Sequence, residues 1–134
     1  MTTSKPSSAL NIALWVLQIL LAAAFGMAGF LKVSKPMEDL LAAGMTFVSD
    51  YSMGTVRFIG ICELAGAVGM ILPTALRIRP ILTPLAAAGF AVLMVLAIFQ
   101  HVSRQESFVL NVALFLFAAF VVWGRLVKAP VQQR

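Results

Sequence analysis

Residues 55–73 read TVRFIGICELAGAVGMILP, and this stretch decides the fold. It is apolar or small at nearly every position over roughly the 20 residues that an α-helix needs to cross the hydrocarbon core of a bilayer. A buried strand would stop after about 4–8 residues, and the two-residue alternation of an outer-membrane barrel is missing. Three more stretches of the same kind surround it, giving expected spans at about 10–32, 55–73, 81–100 and 107–125. The whole composition agrees: of 134 residues, 61% are hydrophobic and 11% charged, against roughly 45–50% and about 25% in soluble domains. That excludes a two-domain enzyme, a disulfide-stapled secreted scaffold and a disordered tail protein. A single cysteine, Cys62, can form neither an internal disulfide nor a CxxC pair. The expectation is an all-α membrane protein whose residues 1–134 form one transmembrane domain, a four-helix bundle.

Outward from the 55–73 span, the boundaries carry their own signals. Thr55 is a candidate N-cap, and Pro73 suits a position just past the helix end. Residues 103–106, SRQE, match a capping box opening the last helix, which makes Glu106 structural. The first span follows Lys5 and contains small residues at 22–24, but it outruns the ~7–15 residues of a signal-peptide core, so it reads as a retained anchor. The six residues 74–79 can join only adjacent antiparallel helices. Between spans 1 and 2, at about 35–49, Met37, Leu40, Leu41, Met45 and Val48 share one helical face, and Glu38 and Asp39 sit where a helix N-terminus favours acids. A short amphipathic interfacial helix is expected there. The small pairs Ala22/Gly26, Cys62/Gly66 and Ala65/Gly69 predict that helices 1 and 2 pack together.

Lys and Arg set the orientation. With four spans, Lys5, Arg77, Arg79, Arg125, Lys128 and Arg134 share one face, and Lys32, Lys35, Arg57 and Arg104 share the other, diluted by Glu38, Asp39, Asp50 and Glu106. This bias places both termini in the cytoplasm. The net charge of +5 matches topology and anionic lipid; no basic stripe interleaved with aromatics points to nucleic acid.

The polar residues inside the spans narrow the function. An ionisable group at membrane depth costs about 2.5–3.5 kcal/mol on the most lenient scales and is a functional candidate by default. Glu63 lies ~12 Å below the start of its span, too deep for its side chain to reach the head groups. Lys32, Arg57, His101 and Asn111 fall in the same half of the bundle, Arg104 stands beside them as a guard at a pocket mouth, and the opposite half offers mainly Gln18. Two readings stay open: a buried network that fixes helix register, or a water-accessible pocket, open to the non-cytoplasmic side, for the polar head of a quinone or lipid or for protons. His101 is the sole histidine, which rules out a bis-His haem, and neither it nor Glu63 has a ligand partner three or four residues away, so no metal site is expected. The seven methionines read as core packing.

The sequence GFLKV around Lys32, the segment RFIGICELAGAVGMILP at 57–73, His101 at the end of the third span and NVALFLFAAFVVWGR at 111–125 resemble the DoxX-like family over residues 10–125. The resemblance implies a mainly bacterial inner-membrane four-helix bundle. It brings a family named for a subunit linked to thiosulfate oxidation and quinone reduction, with some relatives associated with oxidative-stress complexes or membrane-protein assembly. The positions it carries over are Lys32, Arg57, Glu63, His101 and Asn111. The functional expectation is therefore a membrane protein that binds a quinone or lipid, as a partner of a redox subunit or as a homo-oligomer. A non-catalytic assembly protein is the alternative, and an oligomeric small transporter a further one. Quinone is the one candidate cofactor.

Overall fold

A computed structural model describes residues 7–133. Two of the charges counted for orientation, Lys5 and Arg134, lie outside the described residues. Helix α1 spans Ser8–Ser34, α2 Met37–Ala42, α3 Met53–Leu76, α4 Leu82–Ser103 and α5 Val109–Trp123, the last continuing as a π-turn over Gly124–Lys128. A 3₁₀ turn, Thr46–Asp50, sits between α2 and α3, and the described residues contain no strand. Four helices are long and apolar enough to cross a membrane, the last counted through Lys128. Their outer faces carry Ile12, Phe58, Phe99 and Val109, each more than 60% exposed, as expected of surfaces solvated by lipid tails. The architecture is an all-α, multi-pass membrane bundle with a short helical segment between α1 and α3.

Local chemistry explains each boundary. Ser7 caps α1, its Oγ accepting from the Leu10 amide at 3.1 Å. At the other end, Lys35 is extended, the conformation imposed on a residue preceding proline, and Pro36 ends the helix. Glu38 and Asp39 occupy the first turn of α2, and Gly44, with φ +92°, lets the chain turn into the 3₁₀ segment. Leu40, Val48 and Val56 are fully buried together, so this amphipathic piece is pinned to the top of α3.

Three boundary expectations are corrected. Helix α3 is capped by Ser52, whose Oγ accepts from the Thr55 amide at 3.2 Å, three residues before the expected cap. Pro73 lies inside α3, not beyond it. Proline has no N–H for the Gly69 carbonyl four residues back, and that carbonyl instead accepts from Thr83 Oγ1 of α4 at 2.8 Å. The neighbouring helix thus repairs the defect. Finally, residues 103–106 do not open α5. They close α4: Gln105 takes the left-handed conformation (φ 59°), and the Glu106 amide bonds back to His101 O at 2.8 Å, a Schellman-type ending. Ser103 Oγ accordingly points backwards, donating to Gln100 O.

Helices α1 and α3 form the most extensive pair, as the small-residue spacing predicts, but the contact is centred elsewhere. Gly29 and Gly60 face each other so closely that a Cβ on either would fall within 3 Å of the other's carbonyl oxygen. Gly66 and Gly69 face α4 instead, Gly66 making room for Phe90. Phe90 in turn stacks on Phe25 of α1, with ring centroids 3.9 Å apart and planes 8° off parallel. Leu14, Leu21, Met70, Ala118 and Val121 complete a core running down the bundle axis.

Candidate functional site

Helix α1 ends with Lys32 in its last turn, and α3 begins nearby, so the Gly29/Gly60 approach brings Lys32 against Glu63. Lys32 Nζ lies 2.5 Å from Glu63 Oε1, and the two side chains are only 9% and 4% exposed. The ammonium also sits 5.3 Å from the centroid of the Phe47 ring, within cation–π range. Each charge has the other as counter-ion, the condition under which a buried ion pair is tolerated.

Beyond the Gly66–Phe90 contact, α3 and α4 leave a cavity of about 820 Å³. Lys32, Glu63, His101 and Asn111 all border it, so four residues from four different helices share one space. Its walls also include Phe58, Leu96 and Phe99, which are 65%, 59% and 70% exposed on the outer face of the bundle. The cavity therefore has polar groups inside and an apolar rim towards the lipid. Asn111 Nδ2 meets only a soft acceptor, Met94 Sδ at 3.6 Å, which leaves the carboxamide weakly engaged.

A polar latch lies beside the cavity and shares Tyr51, Gln100 and His101 with its lining. His101 Nδ1 is 3.1 Å from Glu106 Oε1, and Glu106 Oε2 accepts from Thr46 Oγ1 at 2.7 Å. Gln100 donates to Asp50 Oδ2 at 2.6 Å and accepts from the Tyr51 hydroxyl at 3.1 Å. Arg104 Nη1 closes the set on Asp50 at 2.7 Å. These bonds tie the 3₁₀ segment to the end of α4. The hydrogen bond from Thr46 holds the Glu106 carboxyl below its usual range; burial opposes this, and His101 and Arg104 add to it. The hydrogen bond to Asp50 raises the Arg104 guanidinium above its usual value.

The six residues singled out from sequence thus separate into three places. Lys32, Glu63, His101 and Asn111 border the cavity. Arg104 belongs to the latch above it. Arg57 turns away: its Nη1 donates to Lys32 O at 2.6 Å and Lys35 O at 2.5 Å, capping the last carbonyls of α1 where a cation is favoured. No group of three or more His, Cys, Asp or Glu among the described residues could hold a metal.

The opposite end of the bundle is more polar than the sequence reading allows. Arg125, expected to be a flanking topology charge, folds inwards and is only 4% exposed. Its Nε donates to Gln18 Oε1 at 2.7 Å, and its Nη1 to Asn11 Oδ1 at 2.9 Å and Ala129 O at 3.0 Å. Gln18 Nε2 reaches Met70 O at 2.7 Å, and Thr74 joins Thr83 at 2.7 Å. A signal existed: Asn11 and Gln18 lie two helical turns apart on one face of α1.

A four-span helical bundle with a buried ion pair beside a cavity is the class that fold and geometry define. The model of the DoxX-like family matches residues 16–124. The chain belongs to that family. No curated protein and no solved structure matches it.

Proposed function

We propose that the cavity between α3 and α4 holds the polar head of an amphipathic ligand, a quinone or a lipid. The protein then serves a membrane redox system as a ligand-binding partner subunit. The observation that carries this reading is the shape and polarity of the 820 Å³ space, with Lys32, Glu63, His101 and Asn111 inside and Phe58, Leu96 and Phe99 at the rim. A carbonyl or hydroxyl head group suits that interior: Lys32 and the Asn111 amide can donate, while Glu63 and His101 can exchange hydrogen bonds. An apolar tail suits the rim, where exposed rings already face lipid. Pockets of this kind are mostly apolar, with a few convergent polar groups.

Native mass spectrometry of the detergent-extracted protein, with quinone or phospholipid added, tests the proposal. A one-to-one adduct is expected for the parent and a loss of at least about tenfold in its occupancy for Asn111→Ala, which leaves the Lys32–Glu63 pair intact, with melting preserved. A parent that takes up neither ligand, or an Asn111→Ala protein that binds as well as the parent, overturns it.

One observation favours a second reading, that of a non-catalytic assembly protein: Lys32 and Glu63 already satisfy each other, and the latch closes on itself. Under that reading no ligand is found on the parent, and Asn111→Ala behaves as the parent does. For topology, we propose a bacterial inner-membrane location with both termini cytoplasmic and the cavity on the far side. Arg77→Cys and Asp50→Cys, each in a Cys62→Ser background, check it: an impermeant maleimide should label position 50 and spare position 77 in intact cells. Labelling of 77 alone reverses the orientation.

A further inference from the structure

All five acids of the chain, Glu38, Asp39, Asp50, Glu63 and Glu106, belong to the end of the bundle that holds the cavity. The other end carries Arg77, Arg79, Arg125 and Lys128 and no acid among the described residues. Three of these cations are exposed, but Arg125 is buried. Its three hydrogen bonds all go to neutral oxygens, those of Gln18, Asn11 and Ala129. Its Nη2 is buried with no hydrogen-bond partner among the described residues. Neutral dipoles lower the cost of a buried guanidinium but do not cancel its charge. A side pocket of about 270 Å³, room for several waters at ~30 Å³ each, borders this same arginine between the α3–α4 turn and the C-terminal segment. Pro80, Ile81, Leu126, Pro130 and Val131 form its apolar walls, and Gln133 adds an amide.

We infer that this pocket is an anion site, in which a phosphate group neutralises Arg125 while the apolar walls take the carbon chain esterified to it. The donor left over is Nη2 alone, since Nε and Nη1 are already bonded, and a phosphate can accept from it while a further oxygen faces the exposed Arg79, which adjoins Pro80 in the chain. A phospholipid head group and a free phosphate share this chemistry. The site is separate from the α3–α4 cavity and stands whether or not that cavity binds a ligand.

The full-length protein in nanodiscs of phosphatidylcholine, with or without phosphatidylglycerol, tests the inference. Phosphatidylglycerol should bind the parent at least about fivefold more tightly than phosphatidylcholine, whose own choline already neutralises the same phosphate, the preference expected of one cation near the surface, and raise the melting temperature. Inorganic phosphate added to phosphatidylcholine discs assigns the source. Protection by phosphate alone identifies a soluble anion, and protection only by phosphatidylglycerol identifies the lipid. Arg125→Gln should abolish the preference. Because that change also disturbs the Gln18 and Asn11 contacts, Val131→Trp, which fills the pocket and leaves the arginine in place, should abolish it too while the protein melts normally in phosphatidylcholine. Equal melting of the parent in all three conditions overturns the inference, as it would if a carboxylate of the chain itself were the counter-ion. So does a phosphatidylglycerol preference that survives both substitutions.

Discussion

The two ends of the bundle bury charge in opposite ways. At one end Lys32 and Glu63 form an ion pair beside an 820 Å³ cavity, under a latch of further charges. At the other a single cation, Arg125, is packed among amide and carbonyl oxygens, with a small pocket against it. The pair is self-contained where Gly29 and Gly60 bring α1 against α3, and the cavity opens beside it towards α4. A lone charge needs several dipoles converging on it, which draws α1, α3 and the end of α5 together. The difference predicts that the first end holds an uncharged head group beside a satisfied pair, whereas the second joins its helices through dipoles and takes its counter-charge from outside the chain.

The largest effect should come from splitting the pair. Lys32→Met leaves Glu63 buried without its counter-ion and should cost ~3–5 kcal/mol at neutral pH, whereas Lys32→Met with Glu63→Leu should recover most of that loss. Thermal unfolding in detergent of the two single variants and the double variant measures it as a cycle. A double variant as unstable as the single one would mean that the pair acts through something other than mutual neutralisation. At the Arg125 end no such rescue is available, because no single partner neutralises the charge.

Next in size is Gly60→Leu. A side chain at position 60 meets the Gly29 carbonyl and Lys32 Cβ at 2.9 Å, and backbone cannot yield as a side chain can. Overpacking here should cost ~1–3 kcal/mol and, by prising α1 from α3, should also lengthen the Lys32–Glu63 contact. Gly89, which has nothing within 4 Å of its Cβ position, is the control: Gly89→Ala should leave melting unchanged or slightly raised.

Gln18→Leu probes the Arg125 end. It removes one acceptor from the guanidinium and one donor to Met70 O, and hydrogen bonds to charged groups contribute ~1.5–3 kcal/mol. The loss should be similar for Asn11 and Gln18 changed together, since both act on the same cation and are not additive. Fully additive losses would show that the cluster is a set of independent bonds.

How much of this was legible depends on whether a residue acts through its neighbours in sequence or in space. Span number, the amphipathic connection and the α1–α3 pairing follow from apolar run lengths and small-residue spacing. Glu63 and Lys32 could be singled out because the depth of a charge in a span is a one-dimensional property. Pro73 was misplaced because its missing bond is repaired by Thr83 of the next helix, a tertiary fact. Residues 103–106 carry a true capping-box pattern, yet Gln105 in the left-handed region turns them into a C-terminal cap, and Glu106 spends its carboxylate on Thr46 and His101. Arg125 reads as a topology charge in the sequence because composition cannot show that the chain folds it inwards onto Asn11 and Gln18, more than 100 positions earlier.

The smallest effect concerns the latch. Glu106 in the folded protein titrates below its ordinary range, chiefly because Thr46 donates to the ionised carboxylate. A carboxyl with a depressed folded value stabilises the fold fully above its unfolded value, about 4.3, and loses that contribution as pH falls through the folded value. The tie between the 3₁₀ segment and α4 should therefore be intact at pH 7 and weaken only under acid conditions below about pH 4. Protection of the amides of residues 46–50, taken against the intrinsic exchange rate at each pH, should fall there before that of the transmembrane helices. Glu106→Gln keeps an oxygen for Thr46 but loses the charge facing Arg104 and His101, so protection of this segment should become nearly independent of pH and slightly lower at pH 7. If the variant retains the parent's acid response, the carboxylate at position 106 is not what closes the cavity end, and Asp50, bonded to Gln100 and Arg104, becomes the group that does.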